Sequence, residues 1–113
     1  SQSRRDDPGW YDCSSLVYRS YAAAGITYLN GMDAASEAEC LVNKGMTVSY
    51  GELQPGDLIF YSYSANGKYR NISHVAIYLG NGEMVHAADE SRGVCKQAMS
   101  QSNLSPQLYC RPQ

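Results

Sequence analysis

The sequence predicts an α+β fold with two helices first and an antiparallel sheet of about five strands after them. Three observations predict it. Helical periodicity and capping signals end by Gly45. From residue 47 onward the chain breaks into short β-branched or aromatic runs. Turn residues punctuate those runs at short intervals.

The first helix is expected over residues 12–24, with Asp12 as N-cap and Gly25 as the closing residue. Leu16, Val17, Tyr21 and Ala24 give it an apolar stripe, and Ala22–Ala24 add propensity. The second helix is expected over 36–44, opened by the Ser36/Glu39 capping box and closed by Gly45. Cys40 lies inside it and reads as a small buried side chain. Pro55-Gly56 suits a type II turn and leads into the apolar run Leu58–Tyr63. After a loop at 64–68, strands are expected at 72–80, 83–88, 93–97 and 107–111, forming a meander.

The 113 residues suffice for one domain and a modest core, so residues 1–113 are expected to be a single domain, excised from a longer protein. The formal charge of −2 and the lack of a basic stripe argue against nucleic acid and anionic membranes as partners. No apolar run is long enough to span a bilayer. Ten tyrosines against one Phe and one Trp suit strand surfaces and equally a wet groove for a polar polymer. The four cysteines, Cys13, Cys40, Cys95 and Cys110, contain no C-x-x-C pair, which excludes a zinc ribbon or thioredoxin motif. Cys95 and Cys110, on two late strands, are the plausible partners should a disulfide form.

Cys13 stands at the first turn of a predicted helix. The helix N-terminus favours thiolate over thiol, and its unpaired N–H groups can donate to an oxyanion. A base must reach it, and His74 and His86 are the only histidines. If Gly80-Asn81-Gly82 forms a three-residue loop with a bulge at Gly82, Leu79 pairs with Glu83, His86 lies opposite Ala76 and His74 opposite Ala88. His74, Ala76, Tyr78, Met84 and His86 then share one face, while Val75, Ile77, Leu79, Val85 and Ala87 share the apolar one. The two histidines become diagonal neighbours, and Ala76 leaves room for a helix end. A two-residue Asn81-Gly82 turn pairing Gly80 with Glu83 would put them on opposite faces. The preferred register makes Cys13 the nucleophile, His74 the base and His86 the residue that orients His74.

Three blocks, "YDCSSLVYRSYAAAGI", "LQPGDLIFYS" and "ISHVAIYLGNGEMVHA", resemble in order the motifs of the NlpC/P60 cell-wall cysteine peptidases. The resemblance implies a papain-like fold with the cysteine helix packed on an antiparallel sheet. It implies hydrolysis of peptidoglycan stem peptides, usually between D-γ-glutamate and diaminopimelate or lysine. It implies a secreted, wall-associated enzyme that works without metal or organic cofactor, expected here to be a monomer. In members that recognise a free L-Ala amine, residues flanking the cysteine bind it, and the matching positions are Asp12, Ser14 and Ser73. Ser15 replaces the family's usual glycine, where it narrows the site or adds a hydroxyl. The family's upstream tyrosine would fall at or before Ser1, and Tyr11 or Trp10 is a candidate to take its place. The competing readings are a CHAP-like amidase or cross-bridge peptidase, and an inactive wall-binding module of the same fold.

Overall fold

The computed structural model describes residues 13–63, 65–89, 93–102 and 105–113. Trp10, Tyr11 and Asp12, with the Asp12 cap, lie outside the described residues. Helix α1 spans Cys13–Ala23 and α2 spans Ala34–Asn43. Among the described residues six strands follow: β1 (Thr47–Val48), β2 (Leu58–Tyr61), β3 (His74–Gly80), β4 (Glu83–Asp89), β5 (Gly93–Ala98) and β6 (Pro106–Cys110). They form an antiparallel sheet in the order β1-β6-β2-β3-β4-β5.

Both helices stop for the reason the sequence suggests. The N–H of Gly25 bonds Ala22 O and that of Ile26 bonds Tyr21 O; Gly45 and Met46 repeat the pattern on Val42 and Leu41. Each glycine takes positive φ, the left-handed residue that a Schellman closure needs. The start of α2 differs from expectation. Asp33, not Ser36, is the N-cap, and its carboxylate accepts from Ser36 N–H at 2.8 Å. Beginning two residues earlier puts Ala34, Ala38 and Leu41 on one buried face. The stripe of α1 also differs: Ser14, Val17 and Tyr18 are buried with Ser15, while Leu16 is half-buried and Ala24 exposed. The sheet selects the 14/17/18/21 side of the helix, where Tyr21 packs on the core and its hydroxyl donates to Gly56 O.

The sheet separates two cores. On one face Leu58, Phe60, Val75, Leu108 and Cys110 pack under both helices with Val17, Tyr18, Leu29, Ala38 and Leu41. On the other, Ile59, Tyr61, Ala76 and Met84 pack with Tyr78, Met99 and Tyr109. Strands β2 to β5 are the expected meander, but β6 leaves it and inserts between β1 and β2. That insertion buries Leu108 and Cys110 against α2. It also puts β6 four strand spacings from β5, about 19 Å. A Cys95–Cys110 disulfide is therefore ruled out, since bridged Cα atoms lie within about 7 Å. All four cysteines are thiols without disulfides.

The β2 entrance is pinned by an ion pair between a buried carboxylate and a half-buried guanidinium. Asp57, 2% exposed, accepts from Arg111 Nε at 2.8 Å, Arg111 Nη2 at 2.9 Å and Gln54 N–H at 2.9 Å. The Pro55-Gly56 turn forms as expected, closed by Asp57 N–H on Gln54 O with Gly56 at positive φ.

Candidate active site

The β3–β4 hairpin sets the site. Ile77 pairs with Val85 and Tyr78 with Met84, the register expected from the sequence. The turn is not the expected loop. Gly80 pairs with Glu83, and Asn81 and Gly82 both have positive φ, the signature of a two-residue type I′ turn. A register shift between Tyr78 and Gly80 absorbs the difference. The extra residue in β3 thus restores the pairing that the short turn would otherwise slip. His74 and His86 consequently point to the same face.

His74 Nε2 lies 2.9 Å from His86 Nδ1, and the rings meet edge to face at 83° with centroids 5.0 Å apart. Both histidines are buried, at 5% and 7% exposure. Tyr61, paired with His74 across β2–β3, has its ring centroid 6.0 Å from that imidazole; Tyr63 has its own at 5.9 Å. Burial among these rings, reinforced by His86, pulls the His74 pKa down to about 4. His86 Nε2 faces Gln97 Oε1 at 2.8 Å, with Cys95 Sγ at 3.7 Å.

Cys13 begins α1 and is half-buried against the helix-side core. Helix α1 packs on β3 and β4. Ala76, between the histidines in sequence position, is fully buried and packs with Ile59, Tyr61 and Met84. Tyr63 lies near both groups: burial and nearby Cys13 raise the Tyr63 pKa, and the Tyr63 ring neighbours His74. Among the expected substrate-binding residues, Ser14 and Ser15 are buried at 2% and 0% exposure, because they lie on the side of α1 turned to the protein. Neither presents its hydroxyl to solvent. Ser73 is half-buried; its Oγ accepts from Tyr63 N–H at 3.1 Å, and its own N–H donates to Tyr61 O. It thereby clasps the end of β2 to the start of β3, just before His74.

Sequence reasoning missed Tyr61, Tyr63 and Gln97 as neighbours of the histidines. Period-two alternation from Ile59 to Tyr61 carries the first signal, since both share a face of β2, which ends at Tyr61 and not at the expected Tyr63. Gln97 depends on the β4–β5 register, where Met84 pairs with Gln97 and His86 with Cys95.

The NlpC/P60 family profile matches residues 3–111. The chain is 43% identical over 91 residues to the peptidoglycan DL-endopeptidase CwlO of Bacillus licheniformis, covering 80% of this chain and 18% of that protein. It is 38% identical over 84 residues to the probable endopeptidase p60 of Listeria seeligeri, covering 73% and 14%. The chain thus spans less than a fifth of either relative. The crystal structure of an NlpC/P60 family protein from Bacillus cereus superposes with a TM-score of 0.73 at 27% identity, covering 90% of this chain and 32% of that one. RipD of Mycobacterium tuberculosis, described as a non-catalytic NlpC/p60 domain protein adapted to peptidoglycan binding, superposes at 0.67 with 25% identity, covering 89% and 66%. The profile match, the relatives and the shared fold agree: this chain belongs to the NlpC/P60 family.

Proposed function

We propose that this domain is a cysteine peptidase that hydrolyses amide bonds in peptidoglycan stem peptides, between D-γ-glutamate and a diamino acid, diaminopimelate or lysine. The observation that carries the reading is the buried His74–His86 pair at 2.9 Å on β3 and β4, the strands against which the helix starting at Cys13 packs. Relatives named as peptidoglycan and p60 endopeptidases support the substrate class.

In this reading Cys13 Sγ attacks the amide carbonyl carbon. A C–S bond forms and the C–N bond breaks, with the first-turn N–H groups of α1 facing the developing oxyanion. Nε2 of His74 is engaged by His86, so Nδ1 is the nitrogen left to take the thiol proton and pass it to the leaving amine. A pKa of about 4 keeps His74 neutral at pH 7, the form able to accept a proton. Water, deprotonated by the same imidazole, then cleaves the thioester to a carboxylic acid and the restored thiol. Asp12, Ser14, Ser15, Ser73, Tyr11 and Trp10 remain candidates to bind the peptide, Ser14 and Ser15 after local opening. The site of action is the cell wall outside the membrane, a reading supported by the peptidoglycan endopeptidase relatives. Residues 1–113 act as one catalytic unit, as a monomer.

The test is digestion of defined muropeptides with mass identification of the fragments. Cleavage between D-γ-glutamate and the diamino acid is expected, abolished in Cys13→Ala and reduced about 10²–10⁴-fold in His74→Ala. Cleavage at the sugar–peptide amide instead would make the domain a CHAP-like amidase. A second reading, a non-catalytic peptidoglycan-binding module, is favoured by the likeness to RipD. Retention on purified wall without release of any fragment would support it.

A further inference from the structure

We propose that Gln97 is a positioning residue that sets the tautomers of both histidines and so turns the free nitrogen of His74 into a base. The inference deepens the reading above and rests on His74 acting as that base.

Cys95 pairs with His86, and Gln97 pairs with Met84 two residues away. Strand alternation therefore brings Cys95, Gln97, Met84 and His86 to one face, with Gln97 diagonal to His86 and within reach of a long side chain. The carboxamide oxygen lies 2.8 Å from His86 Nε2. A carbonyl oxygen accepts and does not donate, so Nε2 of His86 carries the hydrogen. In a neutral imidazole the other nitrogen is then a bare acceptor. His86 Nδ1, 2.9 Å from His74 Nε2, must accept from it. His74 Nδ1 is left with its lone pair. One amide at the far end of the chain thus decides the protonation of a nitrogen two rings away. Cys95 Sγ, 3.7 Å from the same His86 nitrogen, does not replace it, because a thiol can donate as well as accept. A reversed amide would send the whole chain of hydrogens the other way and leave His74 Nδ1 protonated, useless to a thiol.

Long-range proton–nitrogen NMR of the histidine-labelled protein reads both tautomers without any substrate. Hydrogens on Nε2 of His86 and of His74 are expected at pH 7, and a hydrogen on Nδ1 of either ring overturns the proposal. Gln97→Glu keeps an acceptor of the same length, so both tautomers and kcat should persist within a few-fold. If instead the amide donates, Gln97→Glu destroys the pattern. Gln97→Leu removes the acceptor: mixed tautomers and a kcat lower by about tenfold, at unchanged KM, are expected. Unchanged tautomers and kcat in a folded Gln97→Leu protein would sink the idea. A wild-type protein with the expected tautomers and no muropeptide cleavage would defeat the peptidase reading and leave the tautomer assignment standing.

Discussion

His74 meets His86 edge to face with the rings of Tyr61 and Tyr63 beside it, and the cost of burying the first imidazole appears as its pKa of about 4. The unfolded chain binds a proton at this residue below about pH 6.5, while the native state refuses it until about pH 4. Stability therefore rises with pH across that window and falls as the solution is acidified through it, by on the order of 3 kcal/mol for this group. Urea unfolding at pH 7 and pH 4.5, compared with His74→Gln, checks it. Equal pH slopes in the two proteins would contradict the buried neutral imidazole.

The orienting role of His86 predicts a graded loss. His86→Ala removes a hydrogen bond and leaves the base in place, so kcat should fall by about tenfold, far less than for His74→Ala. His86→Gln, which still offers an acceptor to His74 Nε2, should recover part of that loss. Muropeptide cleavage rates decide the order, and equal losses in all three variants would make His86 more than an orienting group.

The thiols should separate by environment. Cys110 is fully buried, and desolvation pushes its pKa up to about 12, so it should resist iodoacetamide in the native state. Cys13, half-exposed at a helix start, should be alkylated fastest at neutral pH. Mass mapping over time reads the order directly. Labelling of Cys13 no faster than Cys40 would argue for the wall-binding module.

Asp57 ties the β2 entrance to the end of β6 through Arg111. Asp57→Ala removes the acceptor of Arg111 and of the Gln54 N–H, while Arg111 keeps Glu52 O, and should cost about 1–2 kcal/mol of unfolding free energy. Asp57→Asn keeps part of the network and should cost less. A denaturation midpoint unchanged in Asp57→Ala would show the pair to be idle.

Gly80 sits at φ +98 beside the β3 bulge, and an added Cβ would lie 3.3 Å from Pro55 Cγ. Gly80→Ala should therefore lose about 1–2 kcal/mol, from backbone strain and the crowding of Pro55. Thermal unfolding monitored by circular dichroism measures it. A gain in stability would mean that the bulge can relax.

The sequence by itself determined the two helices and strands β2 to β6 (though not the short β1), both glycine helix closures, the Pro55-Gly56 turn and the register that puts His74 and His86 on one face. These features are local: period, caps and a short hairpin act over a few residues and carry little loop-closure cost. The turn at Asn81-Gly82 was misjudged, because a bulge and a loop residue give the same pairing beyond them. Only the tertiary structure decided which side of α1 is buried, where β6 inserts, and that Cys110 lies across the sheet from Cys95. It alone brought Tyr61, Tyr63 and Gln97 to the histidines. Those outcomes turn on burying Leu108 and Cys110 beneath α2 and on pairing strands distant in sequence. Burial of that kind is a property of the assembled layers, and no stretch of the chain encodes it alone.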